Sequence, residues 1–140
     1  MTAPPLTHRE YAYFAASGPG THEAVTKALG TKPSECWNVG DVSRRNGQPR
    51  RFMSWHLSSG LDDTEPLSEH IQSLLLMLGP RADALRTLWM DYDLTIHCVG
   101  YFPETGHGAH FDRETLRQIV NLGLALDLDF YHTPDYGHEP

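Results

Sequence analysis

Apolar and polar positions alternate most cleanly in Leu124–Tyr131. There Leu124, Leu126, Leu128 and Phe130 face one way, and Ala125, Asp127, Asp129 and Tyr131 the other. Asp93–Tyr101 repeats the pattern, setting Leu94, Ile96 and Cys98 against Thr95, His97 and Val99. So does Arg51–Ser58, with Met53, Trp55 and Leu57 against Ser54, His56 and Ser58, and Phe52 as the exception on the polar side. Glu10–Ser17, rich in aromatic and small residues and closed by Gly18-Pro19-Gly20, and the short Glu35–Val39 read as further strands. Helical spacing predicts a second class of element. Leu67, Ile71, Leu74, Leu75 and Leu78 form one continuous helical face, opened by Thr64-Glu65-Pro66 and broken at Gly79-Pro80. Thr21 caps a helix over Thr21–Leu29 that ends on Gly30 as a left-handed cap. Pro80 starts a third helix to about Leu88, with Ala82, Leu85 and Leu88 inward. Asp112 caps a last one, with Leu116, Ile119 and Val120 inward.

The predicted order is β-α-β-β-α-α-β-α-β. Strands with one apolar face belong to a sheet covered by helices on one side and open to water on the other. A doubly covered parallel sheet would need strands that are apolar throughout. The expected fold is therefore α+β: a two-layer sandwich with a mainly antiparallel sheet of about five strands. Its β-α-β-β-α-β start is ferredoxin-like in order, and an α-β pair is added. One domain over 1–140 is expected, with a loose arm at 1–9 and a loose tail at 132–140.

Composition changes this picture little. At 140 residues, 39% of them hydrophobic and 21% charged, the chain can build a core without disulfides or metal. Its longest apolar run, Leu74–Leu78, is far short of a membrane span, and Met-Thr-Ala-Pro-Pro lacks the pattern of a secretory signal. A cytoplasmic, soluble protein is the expectation. Cys36 and Cys98 form neither a disulfide framework nor a zinc knuckle, and Cys98, on the apolar side of its strand, reads as a core residue.

Charge is more informative. The formal net charge is −7. Residues 1–90 balance, so the whole excess lies in residues 91–140, where Arg113 and Arg117 are the only Lys or Arg. Solubility alone accounts for such a charge, but the acidic third also disfavours nucleic acid and favours a basic partner. Arg44, Arg45, Arg50 and Arg51 bracket the Asn46-Gly47 hairpin tip. They suit phosphate oxygens, yet no aromatic RNA-binding run accompanies them, so a solvated loop pairing with Asp62 or Asp63 is preferred.

No phosphate-binding glycine loop, G-x-S-x-G elbow or H-E-x-x-H is present. Asp127 and Asp129 share a strand face, and His56, His97 and Tyr131 are candidates to share it. Such a patch of carboxylates, imidazoles and a tyrosine suits protein recognition. The expected partner-binding residues are Asp91, Asp93, Asp127, Asp129 and Tyr131. A second reading makes His107, His110 and Asp112, joined by His97, a site for zinc or another transition metal in a small-ligand domain or enzyme. The competing reading is a surface loop with Asp112 as a helix cap. A third reading is a homodimer module with Phe52 and Tyr131 at its face.

The run Thr21-His-Glu-Ala-Val-Thr-Lys-Ala-Leu29-Gly30-Thr-Lys-Pro33-Ser34 followed by Gly40-Asp41 resembles the opening of the domain-of-unknown-function family numbered 4279. So do the tryptophan-bearing Met53-Ser-Trp55, the helix Leu67–Leu75 and the close Leu126-Asp-Leu-Asp129-Phe130-Tyr131. The resemblance spans about residues 10–131. Its motifs make a fold rather than a catalytic site, and the His107/His110 loop is outside its pattern. Members are small bacterial proteins, some of them similar to immunity proteins of toxin–immunity pairs. The resemblance thus implies a bacterial, non-catalytic protein that binds another protein, with a basic toxin as the sharpest form of partner.

Overall fold

The structure is a computed structural model and describes residues 8–134. Its elements are β1 (Arg9–Gly18), α1 (His22–Leu29), β2 (Glu35–Trp37), β3 (Met53–Ser58), α2 (Leu67–Leu78), α3 (Ala82–Trp89), β4 (Asp93–Phe102), α4 (Arg113–Asn121) and β5 (Ala125–His132). The five strands form one mixed sheet in the order β2-β3-β1-β4-β5. Neighbours are antiparallel except β4 and β5, which run parallel because α4 carries the chain back across the layer. Among the described residues, helices cover one side of the sheet only. The fold is the expected α+β two-layer sandwich.

The strand alternation sets the core. Ala12, Phe14 and Ala16 of β1, Met53 and Trp55 of β3, and Leu94, Ile96 and Cys98 of β4 point into the helix layer and are buried. They meet Ile71, Leu74, Leu75 and Leu78 of α2, Val25 and Leu29 of α1, and Leu85 and Leu88 of α3. Each large side chain so buried stabilises the fold by about 1.5–3 kcal/mol. Trp55 keeps its indole N–H satisfied by donating to Thr26 Oγ1 at 2.9 Å. The break at Gly79-Pro80 is a single 3₁₀ turn, Gly79–Arg81, after which α3 begins. From it Arg81 donates to the Leu29 and Met77 carbonyls, fastening the ends of α1 and α2 together. Gly30 takes the left-handed conformation expected of it, with φ 70°.

Several expectations need correction. In α4 the buried residues are Thr115 and Ile119, whereas Leu116 and Val120 are exposed. The helix sits at the edge of its layer against α2, where Gln72 donates to Thr115 Oγ1 at 3.0 Å, so its contact stripe is rotated by one position. Ala82 of α3 is only partly buried. Phe52 lies in the bend ahead of β3 and is exposed rather than part of the strand. Arg9 and His132, expected in the loose ends, belong to β1 and β5. The parts of those expected arms at residues 1–7 and 135–140 lie outside the described residues.

Candidate functional site

The side chains that alternate away from the helices form one surface across the sheet. Register decides which of them meet. Tyr13 pairs with His97, His97 with Asp127, and Glu35 with His56. The outcome is a line, Glu35–His56–Tyr13–His97–Asp127, that takes one residue from each strand in sheet order. The ring of Tyr13 lies 4.8 Å from that of His56 and 4.9 Å from that of His97, the latter pair stacked. Each imidazole also faces a carboxylate: His56 Nδ1 is 3.7 Å from Glu35 and His97 Nδ1 is 3.7 Å from Asp127. Two further groups extend the line. Trp37 stands edge-on to His56 at 5.1 Å, with the Arg50 guanidinium 3.8 Å above the indole. Near the far edge Tyr101 and Tyr131 stack at 5.1 Å, and Arg9 lies 5.2 Å from the Tyr101 ring while donating to Asp63.

Partial burial in this line shapes its charge. It pulls the His56 imidazole below its ordinary value against the attraction of Glu35, and His97 and Arg50 add to the lowering. His56 Nε2 shares a 2.9 Å hydrogen bond with Ser54 Oγ. Burial likewise raises the Tyr13 phenol, reinforced by Tyr11 and by the charges of Asp129, Glu35 and Asp127. Tyr13 is therefore a protonated phenol and His56 a neutral ring at neutral pH.

Below the line, the small side chains of Ala15, Ser17, Ser54 and Thr95 leave a shallow hollow bordered by Trp37 and His97, with Asp93 and Asp127 on its β4–β5 side. Beside it, the hairpin arm bearing Arg44 and Arg45 and the loop bearing Asp62 and Asp63 bank a groove of about 1370 Å³. The arm turns at Asn46-Gly47 as its sequence predicts, with the Ser43 N–H donating to the Gln48 carbonyl and the Gly47 N–H to the Ser43 carbonyl.

Of the expected partner-binding residues, Asp93, Asp127, Asp129 and Tyr131 share the open face, while Asp91 lies in the turn ahead of β4. Glu35, Trp37 and Tyr13 escaped the sequence reading, although alternation in Tyr11-Ala12-Tyr13-Phe14 already sets both tyrosines opposite the core phenylalanine.

The expected metal ligands do not converge. His97 is on the open face, whereas His107 stacks on the buried ring of Phe102, which points into the helix layer. Position 97 and position 102 differ in strand parity, so the loop cannot fold back to His97. Asp112 is engaged as the cap of α4, accepting from Thr115 N at 2.8 Å, and His110 is exposed in the loop. Phe52 and Tyr131, expected at one homodimer face, are separated by β1 and β4. Both cysteines are free, and burial, helped by the charge of Asp127, pushes the Cys98 thiol up to about 12. Cys98 is thus an inert core residue. Among the described residues no helix is long and apolar enough to cross a membrane.

A family model described as Domain of unknown function (DUF4279) matches residues 7–133. No curated protein and no solved structure matches the chain.

Proposed function

The chain belongs to the DUF4279 family, and from its open sheet face we propose that it is a non-catalytic protein-binding module for a partner presenting lysine and arginine. The observation that carries this reading is the line Glu35–His56–Tyr13–His97–Asp127, an aromatic ridge ended by carboxylates on the face that the helices leave open. Tyrosine, tryptophan and arginine are the side chains that anchor protein interfaces, because they bury much area at little entropic cost. Tyr13, Trp37 and the Tyr101–Tyr131 stack supply such anchors here.

Charge supports the choice of partner. Asp93, Asp127 and Asp129 gather on the β4–β5 half, and Arg44, Arg45 and Arg50 on the hairpin half. A basic surface seated on the acidic half gains steering, and the arginines at the other end fix its orientation. The shape supports a macromolecule over a small ligand. At about 1370 Å³ the open groove exceeds the ~300–1,000 Å³ of small-molecule pockets. A toxin whose basic active surface is covered by this face is the finer form of the reading, in keeping with the resemblance to immunity-like proteins.

The test compares the wild-type chain with Asp127→Asn/Asp129→Asn as bait in extracts, followed by stopped-flow association with the partner recovered. A stoichiometric basic partner is expected, with an association rate that drops about tenfold or more between low and high salt. The double variant should lose most of that salt dependence. A partner that binds both baits equally, at a rate indifferent to salt, would refute the assignment.

A further inference from the structure

We infer that His8, Glu104 and His107 form a zinc site at the β1–β4 end of the molecule, separate from the protein-binding face and independent of that reading. The three residues are brought together by the sheet, not by local sequence. β1 and β4 pair with Arg9 opposite Tyr101, which sets His8, just ahead of β1, beside the loop that follows β4. One ligand atom from each residue lies within 4.8 Å of the other two. Both imidazoles converge on a single carboxylate oxygen: Glu104 Oε1 is 2.8 Å from His8 Nε2 and 3.0 Å from His107 Nδ1. In a tetrahedral zinc site, bond lengths of 2.0–2.2 Å set the ligand atoms about 3.3–3.6 Å apart. The two nitrogen–oxygen contacts would lengthen by roughly half an ångström to admit the ion, and the two imidazole nitrogens, within 4.8 Å of each other, would settle at the same spacing. Two imidazoles and a carboxylate are a donor set that zinc favours over magnesium or calcium, and three protein ligands leave its fourth position to solvent.

The surroundings hold these ligands in place, which separates the cluster from three side chains that happen to be near. His107 stacks on Phe102 at 3.6 Å, and the His8 ring meets the edges of both at 5.4 and 5.1 Å. Phe102 can occupy that position because Gly100, two residues earlier on the same strand face, has no Cβ; one there would collide with the Phe102 ring. On the far nitrogen of His107, Glu10 presents Oε1 at 3.9 Å, and its other oxygen is fixed by the Leu67 N–H at 2.6 Å. With Nδ1 on the metal, Nε2–H faces Glu10. An approach closer than this 3.9 Å would complete the carboxylate–histidine–metal arrangement that sets a ligand's tautomer and strengthens its donation. Glu10 reaches this place because it is on the helix-facing side of β1 at the start of α2. The bound ion would tie the residue ahead of β1 to the β4–α4 loop and, through Glu10, to the N-terminus of α2.

Isothermal titration of the untagged full chain with zinc chloride, paired with thermal unfolding, tests the site. One zinc per chain and a rise in Tm that chelator reverses are expected. His8→Ala, His107→Ala and Glu104→Gln should each weaken binding at least about tenfold, and Glu10→Gln by about tenfold with stoichiometry kept. His97→Ala and His110→Ala should bind as the wild type does. His8 and Glu104 are about half-exposed, so their variants are expected to keep the fold, which an unchanged far-UV circular dichroism spectrum verifies. Absence of saturable zinc binding by the wild-type chain overturns the inference. So does one-to-one binding that survives His8→Ala and Glu104→Gln but is lost in His97→Ala or His110→Ala.

Discussion

His56 shows how one side chain's surroundings become a property of the whole fold. Burial lowers its affinity for a proton, and Glu35 on β2 opposes that only in part. The other groups facing it are Tyr13 on β1, Ser54 on its own strand, His97 on β4, Trp37 on β2 and Arg50 on the hairpin. Its unfolded value is near 6.5. As pH falls through that value, the unfolded chain takes up the proton before the folded chain does. The unfolded state then binds more protons, and stability declines with acidification. The contribution of His56 is thus complete above about pH 6.5. It is lost progressively down to the depressed folded value, below which the slope from this residue vanishes. Urea unfolding of the wild type and His56→Gln across this range reads the effect. The glutamine variant should lose less stability between neutral and mildly acid pH. Parallel curves would mean that His56 takes up its proton in the fold as easily as in the open chain.

At the scale of elements, α4 carries the clearest test. Asp112 accepts the Thr115 N–H, and that backbone bond holds its carboxyl below the ordinary value. Asp112→Ala should cost about 1 kcal/mol in denaturant unfolding, as loss of an N-cap does, and leave zinc affinity unchanged. A cost near zero would show that the loop ahead of α4 satisfies the helix end by other means. The same helix marks the limit of what periodicity conveys. Its spacing announces a helix and its cap, but two overlapping stripes, one through Leu116 and Val120 and one through Thr115 and Ile119, fit nearly the same period. Only packing against α2 chooses the second. The strands were more readable, because a period of two leaves only two faces and the apolar one must be inward. Alternation therefore puts His56, His97, Asp127 and Asp129 each on the polar face of its strand, and strand order and register bring them together. It could not place Glu35 and Trp37 beside His56, nor His8 beside His107. Those meetings depend on strand order and on the register of β1 with β4, which are set by contacts far apart in sequence.

In the whole molecule, the open sheet face spans strands of unequal stability. β1 is central, bonded to β3 on one side and β4 on the other, and its inward side chains are buried. β2 has three residues, and β5 is an edge strand with Leu128 and Tyr131 exposed. Local opening is easiest where a strand is paired on one side and buries little apolar surface. Amide exchange should therefore be slowest in β1 and β4 and at least about tenfold faster in β5. Asp127 and Asp129 put charge on that edge, which discourages another sheet from adding to it. The proposed partner draws on the same two carboxylates, so it would grip the face through its least stable strand as well as through Tyr13 on its most stable one. Saturation with partner should then slow exchange in β5 more than in β1, because only the population of locally opened β5 is suppressed by binding there. Exchange monitored by mass spectrometry, free and bound, distinguishes the outcomes. Protection confined to α2 and α3 would move the interface to the helical side and remove the open sheet face from recognition.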